Sequence, residues 1–191
     1  MDKLLEQEIE NSVKALNEGK TILYPTDTIW GIGCDATNAK AVDKIYQIKK
    51  REQEKSMIIL LEDAQKIEDY VEDVPFIVYD LIESTNRPLT IVYQNARNLA
   101  KNLVPEDNTI AIRIVKGEYC TEMIRRFGKP VVSTSANISG EPSPITFNDV
   151  SEEIRKSVDY VVNIFHDRVR SVKPSRIIKL ENDGLFTIIR E

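Results

Sequence analysis

The stretch from Tyr24 to Asp35, Tyr-Pro-Thr-Asp-Thr-Ile-Trp-Gly-Ile-Gly-Cys-Asp, constrains this chain more than any other. An apolar run from Thr21 to Tyr24 reads as a strand. Pro25 then removes a ladder donor and fixes its own φ, so the backbone is expected to leave the sheet there. Thr26, Asp27 and Thr28 follow, and Gly31 and Gly33 let a second backbone or a ligand approach without meeting a Cβ. Two readings fit. The stretch is a turn whose short polar side chains satisfy local backbone groups, or it is the lip of a binding site. The next helix favours the second. With Asn38 as N-cap, Val42, Ile45 and Lys49 fall on one face, so Lys49 continues an apolar stripe at the helix end and asks for an anion. A lysine there also complements the helix dipole and can snorkel to water. Arg51 converges with Lys49 only if the helix stops near Lys49, because residues two apart on a helix diverge, and no glycine or proline marks that stop.

The rest of the chain alternates helix with strand, which indicates an α/β domain. Leu5, Ile9, Val13 and Leu16 make an acidic amphipathic first helix ended by Gly19. Further expectations are a helix over 39–49, a strand over 56–61, a short helix from an Asp63 cap through Tyr70, and a helix over 76–82 behind Pro75. Asn86-Arg87-Pro88 is a turn before a strand over 89–93. In a strand over 109–115, Ile110, Ile112 and Ile114 share one face. Arg113 falls on the other face with Ala111 and Val115, a charge in an apolar strand that needs an acid partner or an anionic ligand. A helix over 118–127 ends at Gly128, and a strand over 131–134 leads into Ser133-Thr134-Ser135-Ala136-Asn137-Ile138-Ser139-Gly140. If that segment stays extended, Ser133, Ser135 and Asn137 project to one side and offer uncharged donors to phosphate or carboxylate oxygens; a Ser/Asn turn is the plain alternative. Thr146 is expected to cap a helix over 147–156, followed by a strand over 159–165 and a hairpin of 175–180 with 185–190 across Asn182-Asp183-Gly184.

At 191 residues, without repeats or a linker, one domain over 1–191 is expected. The net charge of −5 argues against a surface that is basic throughout, while leaving room for local basic patches. Cys34 and Cys120 form neither a disulfide framework nor a metal cluster, and Met1 leads into an acidic helix, so a reduced cytoplasmic setting is expected. No apolar run is long enough to span a bilayer, so no membrane association is expected. His166 is the only histidine, which argues against a histidine-dependent triad, and no glycine-rich phosphate loop ending in Lys and Ser or Thr is present. Gly31-Ile32-Gly33-Cys34-Asp35-Ala36 matches a dinucleotide fingerprint in letters only, since six residues separate Tyr24 from Gly31. What remains is a cationic set, Lys49, Arg51 and Arg113, with the hydroxyls of Thr26, Thr28, Ser133 and Ser135. Such an inventory suits a polyanion such as a nucleoside triphosphate, and no general base stands out.

Y-P-T-D-T-x-x-G-x-G, then K-x-R at a helix end, then S-T-S-A-N-x-S-G, in this order and spacing, resembles the YrdC/TsaC threonylcarbamoyl-AMP synthases. The likeness runs from the first helix to Pro174-Ser175. It implies an open, twisted mixed α/β sheet with flanking helices and a concave active-site face. It carries the family's lysine, arginine, serine and asparagine onto Lys49, Arg51, Ser135 and Asn137 as catalytic residues, with Thr26, Thr28, Arg113, Ser133 and Ser175 binding substrate. The implied reaction converts L-threonine, bicarbonate and ATP, with Mg2+ carried by ATP and no protein metal motif. The product serves threonylcarbamoyladenosine modification of tRNA through a downstream transferase machinery. The chain departs from the pattern at Glu52 (usually proline), Arg87 (usually glycine), Ile164-Phe165 (usually a glycine pair) and Arg176 (usually threonine). Many members carry an additional C-terminal domain, so a chain ending at Glu191 is expected to hold the catalytic module alone. The competing expectations are a module that binds tRNA, double-stranded RNA or the ribosome, and a paralogue without synthase activity.

Overall fold

The computed structural model describes residues 2–50, 57–165, 174–181 and 184–191. Arg51, Glu52, His166 and the Asn182-Asp183 turn therefore lie outside the described residues. In chain order the elements are α1 (Lys3–Asn17), β1 (Ile22–Pro25), β2 (Trp30–Gly33), α2 (Ala39–Lys49), β3 (Ile58–Leu61), α3 (Ile67–Tyr70), α4 (Ile77–Ser84), β4 (Leu89–Tyr93), β5 (Ile110–Ile114), α5 (Glu118–Phe127), β6 (Val131–Ser135), α6 (Glu152–Ser157), β7 (Tyr160–Val161), β8 (Arg176–Leu180) and β9 (Phe186–Arg190). The strands form one mixed sheet in the order β7-β1-β2-β6-β3-β5-β4-β8-β9, parallel at β1/β7, β3/β5 and β4/β8.

Strand alternation builds two hydrophobic layers. Ile59 and Leu61 of β3 and Ile110 and Ile112 of β5 join Val42 and Ile45 of α2, Val78 of α4 and Ile154 of α6 on one face. Leu60 and Val115 point the other way, to Leu5, Ile9 and Leu16 of α1 and Tyr119, Met123 and Ile124 of α5. This second layer holds no residue of β4, β8 or β9. The same face of the sheet is therefore left without an α1 or α5 cover at that end, and this is where the cleft lies.

Several expectations are corrected. Pairing does not stop for good at Pro25: the chain turns and Trp30–Gly33 returns as β2, with Pro25 opposite Trp30 at the ladder's end, where its missing N–H removes little. Gly33 is required here by close packing. A Cβ built on it would lie 2.4 Å from the Val132 carbonyl oxygen and 2.7 Å from the Tyr24 ring, with strands on both sides. Gly33→Ala should therefore cost about 3 kcal/mol or more, read as a lowered denaturant midpoint, because the obstacle on the β6 side is backbone. The helix expected over 147–156 is two pieces. Thr146 and Asp149 close a capping box on a short 3₁₀ turn, Val150 is extended, and Ser151 caps α6 anew. The strand expected over 159–165 shortens to Tyr160–Val161. After Val162 donates to Leu23, the Asn163 N–H goes to the Glu8 carboxylate, so the chain peels off β1. Cys34 and Cys120 are both buried, and neither forms a disulfide among the described residues.

Arg126 of α5 clamps the outer layer, reaching Glu6 of α1 at 2.6 Å and Glu122 at 2.8 Å. Its hydrogen bonds hold both carboxyls below the ordinary glutamate value of 4.5. Depressed folded values mean stability that is present above that value and lost as pH falls through and below it. Arg126→Gln should thus lower the melting temperature at neutral pH, and the difference from the parent should shrink as a melting series is taken well below pH 4.5.

Candidate functional site

Between the β1–β2 turn, the ends of β5 and β6 and the β8–β9 hairpin lies a cleft of about 220 Å³. Thr26, Thr28, Gly31, Arg113, Ser133, Ser135, Ser175 and Arg190 are among its lining residues. The turn after β1 combines the two readings of its sequence. Thr26 Oγ1 donates to the Ile29 carbonyl at 2.6 Å, accepts from the Thr28 N–H at 3.0 Å and sits 2.9 Å from Thr28 Oγ1. It is a self-satisfied turn, and both threonines line the cleft. Gly31, opposite Ser135, leaves room where a Cβ would sit 3.4 Å from Ser133 Oγ.

Arg113 reaches the cleft from β5 on the face opposite its isoleucines, as the alternation requires. Its guanidinium lies 3.1 Å from Asp27, with side-chain exposures of 4% and 8% respectively. Neither Asp27 oxygen nor Arg113 Nε has a hydrogen-bonded partner among the described residues, so charge alone holds the pair. Ser175 is 2% exposed and shares a 2.8 Å hydrogen bond with Thr90.

Arg190 is the charged cleft residue among those that sequence reasoning missed, which also include Ser143. Its Nε and Nη2 donate to the Ser175 carbonyl at 3.0 and 2.7 Å. A register shift in β9 brings it there: Ile188 faces Ile178, yet Arg190, not Ile189, faces Ile177. The extra residue re-aims the side chain, which is what a bulge does. Burial, and then the positive charge of Arg113, pull the Arg190 guanidinium below its ordinary pKa. Two guanidiniums that repel each other across a cleft favour a polyanion between them.

Lys49 and Asn137 do not line this cleft; they stand behind it. The helix stops where convergence required, through Lys50 in the left-handed region at φ 50° and ψ 45°, a stop made without glycine. Lys49 is 2% exposed, and its ammonium donates to the carbonyls of Ser135 at 2.5 Å and Asn137 at 2.7 Å, and to Asn137 Oδ1 at 3.3 Å. The Lys49 carbonyl in turn accepts from the Ser139 N–H at 3.0 Å. β6 ends at Ser135 and the Asn137 N–H bonds back to the Ser135 carbonyl, so Asn137 turns inward instead of continuing a row with Ser133 and Ser135. Among the described residues no group of three or more His, Cys, Asp or Glu could hold a metal ion, and no helix is long and apolar enough to cross a membrane.

The Sua5/YciO/YrdC family model, described as telomere recombination, matches residues 14–191. A threonylcarbamoyl-AMP synthase of Pseudoalteromonas translucida is 32% identical over 158 residues, covering 81% of this chain and 84% of that one. A Methanocaldococcus jannaschii relative is 37% identical over 177 residues, covering 92% and 81%. Among solved structures, P. abyssi Sua5 complexed with L-threonine superposes with a TM-score of 0.87 at 25% identity, over 97% of this chain. This chain spans about 54% of the length of that protein. E. coli YciO, at 21% identity and a TM-score of 0.84, shares the fold.

Proposed function

This chain belongs to the Sua5/YciO/YrdC family, and we propose that it joins L-threonine, bicarbonate and ATP into threonylcarbamoyl-AMP with release of pyrophosphate, for threonylcarbamoyladenosine modification of tRNA. The observation that carries the reading is the cleft itself, where Arg113 and Arg190 face each other among the hydroxyls of Thr26, Thr28, Ser133, Ser135 and Ser175. It is supported by the synthases to which the chain is similar and by the threonine bound to P. abyssi Sua5.

The threonine amine condenses with bicarbonate to a carbamate, with loss of water. A carbamate oxygen then attacks the α-phosphorus of ATP, and the bond to pyrophosphate breaks. Arg113, steadied by Asp27, is suited to an amino-acid carboxylate beside the Thr26 and Thr28 turn. Arg190, with Arg51 from the K-x-R motif, is suited to phosphate oxygens. Fixed cations of this kind lower the cost of bringing a carbamate to a triphosphate, and partial desolvation strengthens them. Ser133 and Ser135 add neutral donors that need no reorganisation. The oxygen-only donor set fits a magnesium ion that arrives on the triphosphate. Thr28 and Ser135 hydroxyls would meet its water shell, and the bound ion would offset phosphate charge.

Pure protein should release pyrophosphate from ATP only when L-threonine and bicarbonate are both present, with a threonylcarbamoyl-AMP mass in the products. Pyrophosphate release that ignores threonine, or bound ATP without an adenylate product, would reject synthesis. Arg51→Ala should abolish most turnover while leaving the melting temperature near the parent's, since a phosphate contact holds little core surface. A large melting shift with unchanged turnover would contradict that role.

A further inference from the structure

A small pocket adjoins the cleft beside the β1–β2 turn. Thr26, Thr28, Ile29 and Trp30 border both spaces, and Pro25, Ile145 and Phe165 close the pocket. Its volume is about 10 Å³, room for one group of about methyl size. The three closing side chains are apolar, so a water held there would find too few partners. Trp30 is fixed against Phe147, with ring centroids 5.0 Å apart. Phe165 has a φ of 59°, in the left-handed region that bulky residues rarely enter. Strain of this kind persists where the surroundings over-determine a residue, and it clusters at ligand sites.

The two threonines at the lip of the pocket carry one hydroxyl proton each. Thr26 Oγ1 gives its proton to the Ile29 carbonyl at 2.6 Å, so the 2.9 Å bond between the two hydroxyls is donated by Thr28. Thr26 Oγ1 also accepts from the Thr28 N–H at 3.0 Å. Thr28 Oγ1 is left with its lone pairs and no further proton to give. It is an acceptor set beside a methyl-sized apolar pocket.

With L-threonine as the substrate of the cleft, the reading on which this one rests, we propose that the turn and the Phe165 pocket together read the configuration at the substrate's Cβ. The substrate hydroxyl donates to Thr28 Oγ1, and the methyl enters the pocket. Once the carboxylate is fixed at Arg113 and the hydroxyl at Thr28, two staggered positions remain for the methyl, and the configuration at Cβ selects one. L-Threonine turns its methyl toward Phe165, and L-allo-threonine turns it away. Serine leaves the pocket empty, valine leaves Thr28 without its donor, and an ethyl group meets the Phe165 ring. Phe165 is thus a specificity-determining residue, because its side chain walls the pocket.

Trp30 is the chain's one tryptophan and borders both spaces, so its fluorescence reads amino-acid binding to the full chain without turnover. L-Threonine should give a saturable change. One methyl in an apolar pocket is worth about 10–200-fold, so L-serine should bind at least tenfold more weakly, as should L-allo-threonine and L-valine. Phe165→Gly should bind the threonine homologue that carries an ethyl in place of the methyl at least tenfold more tightly than the parent does. Glycine takes the left-handed φ without strain, so this variant should keep a melting temperature near the parent's. Thr28→Val keeps the shape of the lip and should lose the preference for threonine over valine. No change with threonine, equal binding of threonine and allo-threonine, or a Phe165→Gly variant that still excludes the ethyl homologue would each overturn the proposal. Product analysis separates this from the synthase reading: adenylate made equally from both threonine isomers sinks the subsite and leaves the synthase, and selective threonine binding without any adenylate does the reverse.

Discussion

Lys49→Met should leave a folded protein whose synthase turnover is about a hundredfold lower. Methionine matches the length and apolar stem of lysine but takes away the ammonium that now bonds the Ser135 and Asn137 carbonyls and Asn137 Oδ1. Each acceptor left buried without a donor costs about 1–3 kcal/mol, while the variant no longer holds a desolvated charge, so the net loss should be about 2–3 kcal/mol. That is a lower melting temperature, not an unfolded chain. The rate suffers more because Ser135 lies at the cleft and its backbone is what Lys49 grips: a shift of about 1 Å in a positioned group can cost about 10²-fold. Lys49→Arg should not restore the rate, since a planar guanidinium cannot aim three donors into the space of an ammonium. Steady-state kinetics in ATP beside thermal melting decide it. Near-parental turnover in Lys49→Met, at any stability, would show that the turn does not need its clamp.

The parts of this arrangement that were legible in the sequence are those that local chemistry dictates. Asn38 caps α2 through the Lys40 and Ala41 N–H groups, Gly128 ends α5 in the left-handed region, and the period of two in β5 separates Arg113 from its isoleucines. The missed parts depend on pairing between distant segments. β2 looked like a loop because its two glycines have low strand propensity, and only the neighbouring β6 backbone explains why Gly33 is there. β7 looked longer because its apolar run continues to Phe165, whereas Glu8 of α1 intercepts the Asn163 N–H. Arg190 sits in Ile-Ile-Arg-Glu, where simple alternation says nothing about which face it takes; one inserted register step decides that. Lys49 and Asn137 were expected at the site by residue type and motif, and a helix face and an extended row do not reveal that they meet each other behind the cleft.

Arg113→Met should destabilise the fold by about 3–5 kcal/mol, and the double variant Arg113→Met with Asp27→Leu should recover much of that loss without recovering synthesis. The pair is nearly closed to solvent, at 4% and 8% side-chain exposure, and no hydrogen bond from the described residues satisfies Asp27. Removing the arginine alone strands a carboxylate in a low-dielectric site, which is the costly half of breaking a buried pair. Replacing both partners removes the stranded charge together with the cation, and buried pairs replaced by apolar groups are often near neutral in stability. Function does not follow the same cycle. The cleft would keep Arg190 as its remaining described cation, its guanidinium no longer pulled down by Arg113, and would lose the one facing the Thr26 and Thr28 turn. Turnover should therefore fall by at least a hundredfold in both the single and the double variant, with threonine saturation lost before ATP binding. Denaturant midpoints for the four members of the cycle measure the coupling, and kinetics with varied threonine measure the role. A double variant that regains both stability and turnover would make the Arg113–Asp27 pair a structural strut and remove Arg113 from the substrate site.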